Sequence, residues 1–325
     1  TGIYNQGELK QFAGTITSEA KYGIDNKNLI EFCEGQINNC DTGLMNEYQG
    51  VSENKVTVIK KIITDFEKNK RALLSYGNVN SLGGNYKNNG ADDVDGSAIY
   101  TFGNNAKVYI GDADTTTRYK NPIIAGNIAK DGTVYVGTGS KVTCDGQFNN
   151  SLANTAQRGG FAYIGMYGTL LHKKGKLPYG SAEKGSGVYI YSNGSIPKGS
   201  YQIMGDASLA DGTDVYEDPY TYVEIVGELT GNDIFTITPS EDSTDNGRVI
   251  ADVTYDGKNN NDITAKDSLY ISGTMDDENN GLTVKKRFVS TGKYDVRCTD
   301  KLQNEGKINL FTGKDRTDRT AAIFQ

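Results

Sequence analysis

Few side chains in this sequence could carry chemistry, and the densest group is an acidic run in a glycine- and asparagine-rich loop. Asp92, Asp93 and Asp95 lie close together between Asn89 and Gly96. Carboxylates are the ligands that calcium prefers, but this run lacks the spacing and the distal glutamate of an EF-hand loop. Aspartate and glycine also dominate solvated turns for backbone reasons. We therefore predict an acidic turn at Asp92, Asp93 and Asp95 that binds calcium at most weakly, and no other cofactor.

Catalysis by histidine would depend on His172, the only histidine in 325 residues. It lies where an apolar segment gives way to a lysine pair, and no serine or cysteine nucleophile motif accompanies it. The four cysteines show no metal-binding spacing and are too few for a disulfide framework. We therefore predict no catalytic residue and free, buried thiols; a Cys33–Cys40 bridge is the alternative.

Tyrosine, present 21 times, is the residue type best suited to binding. Tyr216, Tyr220 and Tyr222 surround Pro219. Exposed tyrosines stack on sugars and are common at protein interfaces. Alternation along a strand would, however, send Tyr220 and Tyr222 to the same side, which is either a binding face or the core. The two interpretations, glycan or protein binding and internal packing, both stay open.

The elements that must position these side chains repeat with a period of about 20 residues. Gly-Ile-Tyr-Asn begins at Gly2, Gly-Ile-Asp-Asn at Gly23 and Gly-Leu-Met-Asn at Gly43. The first repeats hold three short apolar segments separated by glycine and asparagine, each too short for a helix. Three strands per repeat predict an all-β fold, a right-handed parallel β-helix whose coils stack ~4.8 Å apart.

Asn5, Asn26 and Asn46 end the repeated tetrapeptide and would lie above one another in such a stack. Stacked amides can bond along the axis, because each side chain donates one hydrogen bond and accepts another. We therefore predict a structural amide ladder through these three residues. Contact with a ligand is the alternative.

The third repeat is irregular. Val56 and Ile63 keep the seven-residue spacing of Leu9 and Ile16. This spacing predicts strands after an insertion of about six residues. An amphipathic helix is the alternative, because apolar residues also recur at helical spacing. That helix would use Ile59, Ile62, Ile63 and Phe66.

The coils are predicted to span residues 1–257. Residues 258–262 are the most linker-like segment, and the repeat is not readable beyond them. Residues 258–325 are therefore predicted to be either further coils or a small β-rich terminal region. The chain begins within the repeat at Gly2, which predicts that an end of the stack is covered by more of the same chain or by a second copy added head to tail.

The net charge and the length of the apolar runs argue against two interactions, with nucleic acid and across a membrane. A net charge of −7 argues against nucleic acid, which requires a concentrated basic face. No apolar run approaches the ~20 residues of a membrane-spanning helix. We therefore predict neither nucleic-acid binding nor a membrane span in this segment.

Two sets of residues resemble the adhesin-like β-helix repeats of large bacterial and archaeal surface proteins. The first is the Gly-Ile-Tyr-Asn tetrapeptide with Gly7, Leu9, Gly14 and Ile16. The second comprises residues 199–208, 214–216, 224–231 and 237–239, whose order is similar to a coil series of clostridial and spirochaetal surface proteins. Ala13 and Glu34 depart from the family pattern, because each replaces the first glycine of a pair.

The resemblance implies an exported, extracellular or cell-surface protein used for attachment or as a stalk. Its expected partner is a host or environmental glycan or protein. The alternative is a β-helical polysaccharide lyase or glycoside hydrolase, since parallel β-helices also support that chemistry. Such an enzyme needs carboxylates converging on one face, so a carboxylate pair in a groove would favour it and a smooth flank would favour the adhesin.

Overall fold

The chain folds entirely into strands, turns and bends in the part that a computed structural model describes. That part comprises residues 1–17, 19–48, 56–111, 121–148, 150, 152–194, 197–229, 234–240, 248–253, 268–272, 282–289, 293–298, 307–311 and 319–320. Within these ranges no helix is long and apolar enough to cross a membrane. The predicted all-β class is confirmed.

One twelve-stranded sheet, here called sheet A, runs along the whole stack in chain order. Its strands are β1 (Ile3–Asn5), β4 (Tyr22–Asn26), β7 (Thr42–Asn46), β10 (Arg71–Ser75), β13 (Ile99–Thr101), β17 (Val134–Val136), β20 (Ala162–Ile164), β23 (Val188–Ile190), β25 (Val215–Glu217), β27 (Ile234–Pro239), β30 (Leu282–Val289) and β31 (Lys293–Cys298).

An eighteen-stranded sheet, sheet B, and a three-stranded sheet, sheet C, form the other sides. The strands of sheet B are β2 (Glu8–Leu9), β3 (Phe12–Thr17), β5 (Leu29–Ile30), β6 (Cys33–Asn38), β8 (Val58–Ile62), β9 (Asp65–Glu67), β11 (Asn78–Ser81), β12 (Asn85–Lys87), β14 (Lys107–Gly111), β15 (Ile123–Ala125), β18 (Lys141–Asp145), β21 (Thr169–Lys174), β24 (Ser200–Gly205), β26 (Val223–Leu229), β28 (Arg248–Val253), β29 (Ser268–Ser272), β32 (Lys307–Phe311) and β33 (Arg319–Thr320). Sheet C contains β16 (Ile128–Asp131), β19 (Asn154–Arg158) and β22 (Gly180–Lys184).

Parallel pairing in constant register makes this arrangement a parallel β-helix, as predicted. In sheet A, Ile3 pairs with Ile24, Ile24 with Leu44, and Leu44 with Leu73, each one coil further along the axis. These residues point inward, because alternate residues of a strand face opposite sides. The core is therefore a set of apolar columns, each continued by the next coil.

The first coil is less covered than the second. Ile24, Ile30, Cys33 and Ile37 of the second coil are fully buried. Their counterparts one coil earlier are only partly buried against the core, and they are Ile3, Leu9, Phe12 and Ile16. A residue of a solenoid is thus buried fully only where coils lie on both sides of it.

The third coil contains strands, and the alternative of a helix is wrong. Val79 pairs with Ile59, but Ser81 pairs with Ile62, so β8 holds one residue more than its partner β11 at this point. That β-bulge places the two buried isoleucines three positions apart, which imitates helical spacing. Part of the predicted insertion after Asn46, residues 49–55, lies outside the described residues.

The predicted asparagine column forms hydrogen bonds along the axis. Asn5 Nδ2 donates to Asn26 Oδ1 at 2.7 Å, and Asn26 Nδ2 donates to Asn46 Oδ1 at 2.8 Å. Asn46 Nδ2 then donates to the Ser75 hydroxyl at 3.1 Å. Asn26 and Asn46 are fully buried. The amides therefore satisfy one another in place of water, which is the structural role we predicted.

A second asparagine ladder, which the sequence analysis missed, has more bonds at each rung. It runs from Asn69 through Asn89 and Asn127 to Asn154, with Nδ2–Oδ1 distances of 3.1, 3.0 and 2.9 Å. Each Oδ1 from Asn89 onward also accepts the backbone N–H of the preceding asparagine. The Asn89 Nδ2 additionally donates to the Phe66 carbonyl at 3.0 Å. All four side chains are buried, so this ladder satisfies backbone groups in the turns as well as its own amides.

The direction of pairing changes near the predicted boundary. Strand β28 pairs parallel with β26, whereas β29 pairs antiparallel with β28 and β30 pairs antiparallel with β27. The remaining described pairs, β29–β32, β30–β31 and β32–β33, are also antiparallel. These strands therefore differ from the parallel coils, although the boundary at residues 257 and 258 itself stays a prediction.

Candidate binding face

The outward side of sheet A carries a column of tyrosines. Tyr100 lies between Ile99 and Thr101, both of which are fully buried, so strand alternation directs the tyrosine outward. The register continues from Tyr100 through the middle residues of β17, β20, β23 and β25. The five members of this tyrosine column are Tyr100, Tyr135, Tyr163, Tyr189 and Tyr216.

The rings of the tyrosine column are stacked face to face in succession. The four centroid distances are 4.8, 5.1, 5.3 and 5.2 Å, and the interplanar angles are 3°, 11°, 6° and 9°. Each inner ring is therefore covered on both faces by its neighbours. Burial raises the pKa of Tyr135 to about 12. The column therefore resembles a core more than an open platform.

Cations lie against this column. Arg71 is 4.7 Å from the Tyr100 centroid, and Arg158 is 5.0 Å from that of Tyr163. Lys184 lies 5.1 Å from the Tyr216 ring. Such contacts contribute about 0.5–2 kcal/mol, according to how far they are desolvated. They cover the column further and leave it little surface for a ligand.

Arg158 is held by a carboxylate of the previous coil. Its Nε and one terminal nitrogen donate to the two Asp131 oxygens at 2.8 and 2.6 Å. Because Asp131 is buried, this bidentate pair supplies the partner that its charge requires. The raised pKa of Arg158 results mainly from this hydrogen bond. The Arg158 and Asp131 side chains thus form a structural ion pair.

A sequence signal precedes each strand of the tyrosine column. A charged residue is followed directly by glycine, as in Asp131-Gly132 and Arg158-Gly159, and the tyrosine comes three or four residues after that glycine. Gly132 and Gly159 have φ values of 56° and 66°, a left-handed backbone in which an added Cβ would meet main-chain atoms within 3 Å. The same signal occurs at Asp95-Gly96, Lys184-Gly185 and Asp211-Gly212. This signal of a charged residue followed by glycine could have been used to predict the tyrosine column from the sequence.

The three tyrosines predicted for binding occupy different environments. Tyr216 is the last ring of the column, stacked on Tyr189. Tyr220 is 63% exposed in a turn, and Tyr222 lies just before β26 with the Lys198 ammonium 3.3 Å from its ring centroid. The prediction that Tyr220 and Tyr222 alternate along one strand is wrong, because both precede the strand. Of the three, only Tyr220 offers a largely open ring.

A second aromatic group lies beside the column, and sequence reasoning missed it. Tyr76 and Phe102 directly follow β10 and β13, and Tyr48 comes shortly after β7. Tyr76 is 6.5 Å from Tyr48 at 72° and 6.3 Å from Phe102 at 70°, both edge to face. Tyr48 and Phe102 are 48% and 41% exposed. We call these three side chains the aromatic cluster; it keeps open surface where the tyrosine column does not.

One carboxyl pair lies on the same outward side. Asp25 shares its column with Tyr4 and Met45 and is 6% exposed. Burial, and then the neighbouring Glu47 carboxylate, raise the pKa of Asp25 to about 6. The Glu47 side chain also pairs with Lys27 at 2.9 Å. Asp25 can therefore take up or release a proton at about pH 6, closer to neutral pH than an ordinary aspartate.

The acidic run does not form a metal centre. Asp92 and Asp93 are exposed in a turn, which the Val94 N–H closes by donating to the Ala91 carbonyl at 3.0 Å. Asp95 is partly buried, and its pKa is raised by burial and by Asp131. Among the described residues no three His, Cys, Asp or Glu side chains are grouped so that they could hold a metal ion. Weak calcium binding at Asp92, Asp93 and Asp95 stays a prediction without a preformed cage.

His172 is a core residue. It is fully buried, its Nδ1 lies 3.1 Å from the Tyr201 hydroxyl, and its Nε2 lies 2.8 Å from the Gly175 carbonyl. Burial lowers its pKa to about 4. It is therefore a neutral hydrogen-bonding group that no substrate reaches. Cys33, Cys40 and Cys144 are free and buried, so a Cys33–Cys40 bridge is absent from the structure.

Comparison with known proteins adds no relative. No family model, no curated protein and no solved structure matches the chain. The resemblance to adhesin-like repeats therefore stays a prediction.

Proposed function

We propose that the chain is a structural or adhesive segment of an extracellular or cell-surface protein, serving as a stalk or a filament-forming unit. The observation that carries this proposal is the continuity of bonded columns along the coil axis. Parallel strands, two asparagine ladders and the tyrosine column each connect successive coils. Such a stack resists extension along its axis, because separating two coils breaks all these bonds together.

Pulling the chain from its two ends in a force spectrometer tests this role. A stalk should unfold coil group by coil group, with force peaks that shift when one ladder is cut by Asn89→Leu. A matched surface variant, Asn80→Ala, lies outside both ladders and should leave the force pattern unchanged. Unfolding at forces typical of a loosely packed domain, with no response to Asn89→Leu, would contradict the proposal.

Attachment at the end of the first coil forms part of the same proposal. Ile3, Leu9, Phe12 and Ile16 are only partly buried there, and β1 has no strand beyond it within the described residues. At the other end β27 and β28 are paired with antiparallel strands. We expect a second copy, added head to tail, to cover these apolar side chains of the first coil. Light scattering with electron microscopy checks this, and particles that stay monomeric at high concentration with that edge free would contradict it.

A β-helical polysaccharide lyase or glycoside hydrolase is the second candidate, favoured by the Asp25–Glu47 pair on the outward face. Glycosidases use one carboxylic acid and one carboxylate, and the raised pKa of Asp25 beside Glu47 suits the first of these roles. Release of reducing or unsaturated sugars from a polysaccharide panel, abolished in Asp25→Asn, would establish this function. Since Asp25 is 6% exposed, we expect no turnover, and the adhesive role stands as the main proposal.

A further inference from the structure

The geometry of the aromatic cluster points to a ligand, and it deepens the adhesive role on which it rests. Tyr48, Tyr76 and Phe102 meet edge to face, so each contact covers a face of only one of its two rings, whereas each contact in the tyrosine column covers a face of both rings. We propose that this cluster binds an extended neutral polysaccharide lying along the coil axis. The C–H faces of a pyranose ring pack on open aromatic faces, which supply large contact area at low entropic cost.

The alignment of the cluster fits a chain ligand. The backbone N–H of Tyr76 bonds the Asn46 carbonyl, and that of Phe102 bonds the Ser75 carbonyl, one coil further along. The cluster therefore follows the stacking direction instead of circling the coil. The next residue of that row is Gly137, whose added Cβ would lie 2.9 Å from the Phe102 ring. A side chain at this position would displace the Phe102 ring. Glycine at position 137 therefore keeps the surface beside that ring open along the stacking direction.

The size of the cluster favours a polysaccharide over a protein. A stable protein interface buries about 800 Å² on each partner, which three rings cannot supply. A polysaccharide needs only a narrow track, because successive sugars contact successive rings. The Lys27–Glu47 pair, one coil before Tyr76 in the same row, can hydrogen-bond sugar hydroxyls at one end of the track.

The charge of the molecule favours a neutral sugar over an acidic one. The chain carries a net charge of −7, and Glu47 lies beside Tyr48. A uronic acid polymer would be repelled by both. Among the basic residues near the tyrosine column, Arg158 offers an acidic polymer little attraction, because it is paired with Asp131.

Affinity electrophoresis of the whole chain tests the inference, with mixed-linkage β-glucan and xylan as neutral probes and polygalacturonate as the acidic one. We expect retardation by a neutral probe and none by polygalacturonate. Tyr48→Ala and Phe102→Ala should each weaken binding about three- to tenfold, and the double variant should lose more. Tyr167→Ala is the matched control, since Tyr167 is 61% exposed outside the cluster.

Three results would overturn the inference. They are no retardation by either neutral probe, equal weakening by Tyr167→Ala, and loss of binding in Tyr220→Ala but not in Tyr48→Ala. The third result would show that the glycan binds at Tyr220, one of the tyrosines predicted from the sequence. Because the cluster variants remove exposed rings, their unchanged melting temperatures would show that they fold. If glycan binding fails while the force pattern of the stalk persists, only this inference falls.

Discussion

The tyrosine column and the aromatic cluster use the same kind of side chain, the column within the strands of sheet A and the cluster just beyond strand ends, with opposite results. In the column, Tyr163 is covered by Tyr135 and Tyr189 at 5.1 and 5.3 Å and is 4% exposed. In the cluster, Phe102 meets its neighbour at 70° and is 41% exposed. Ring orientation, not residue type, decides whether an aromatic surface stabilises the fold or remains available to a ligand.

The backbone determines these orientations. The tyrosines of the column occupy the middle of successive strands in constant register, so their Cα atoms repeat at the interstrand spacing and the rings stack. The members of the cluster follow the strands, where the chain turns and the rings are not held parallel. A ladder is therefore expected within strands and an open platform at their ends.

The largest expected effect on stability that tests this comparison is that of Tyr163→Ala. Removing a ring that is covered on both faces should lower the free energy of unfolding by about 3 kcal/mol, near the lower end for buried aromatic residues because the column faces outward. Phe102→Ala should cost less than about 1 kcal/mol, since much of that ring is already in water. Urea denaturation measures both. Equal losses in the two variants would contradict the distinction between column and cluster.

Replacing a member of either asparagine ladder should destabilise the protein, as replacing a member of the tyrosine column should. Asn26→Leu removes the bonds to Asn5 and Asn46 and should cost about 1–3 kcal/mol, because a buried donor and a buried acceptor lose their partners. Asn89→Leu should cost more, since its amide also bonds the Phe66 carbonyl and the Asn69 backbone N–H. Denaturant midpoints of both variants check this order. Unchanged stability in Asn26→Leu would remove the first ladder as a stabilising element.

These two ladders show what the sequence could reveal. The first was predictable because its members recur 21 and 20 residues apart in coils without insertions. The second was missed because insertions spread its members to 20, 38 and 27 residues. Its local signal is an asparagine placed two residues after a short strand, with Lys68, Asn88 or Gly126 at positive φ before it. Sequence spacing cannot identify ladder residues where loop lengths vary between coils, whereas the residue types required by the turn recur in each coil.

The fold was more predictable than the candidate site. Periodic apolar residues determine coil architecture. The bulge at Ile59 and Ile62 only added a helix as an alternative to the strands that we predicted there. Binding residues depend on which side chains meet across coils, and that depends on loop lengths. Tyr48, Tyr76 and Phe102 are separated by 28 and 26 residues with no shared motif, so nothing in the sequence connects them.

A smaller effect is expected where a charge covers the column. Arg158→Met removes the cation from Tyr163 and leaves buried Asp131 without its partner. We expect a loss of about 2 kcal/mol, less than for a fully buried pair because Arg158 is one third exposed. The double variant with Asp131→Asn should recover part of it. If thermal unfolding finds the single and double variants equally destabilised, the ring contact and not the ion pair would be the stabilising element.

The smallest effect concerns the part of the outward row that precedes the tyrosine column. Asp25 stands there beside Tyr4, Met45, Lys27 and Glu47, and burial raises its pKa from 3.8 to about 6. The folded state thus favours the protonated acid, and its contribution to stability is complete below about pH 4 and is lost as the pH rises through 6. Asp25→Asn keeps a neutral hydrogen-bonding group, so above pH 6 it should be more stable than the wild type by on the order of 1 kcal/mol, reduced by solvent screening near the surface.

Glu47→Gln is the matched partner for that experiment. Removing the neighbouring negative charge lowers the cost of ionising Asp25, so the loss of stability should move to lower pH without disappearing. Urea titrations between pH 4 and 8 compare the three proteins. Parallel curves for the wild type and Asp25→Asn would mean that Asp25 is hydrated and ionised like a surface residue. The outward row would then be open to water beyond the tyrosine column, and an open row at Asp25 would extend the track of the aromatic cluster by the one coil that precedes Tyr48.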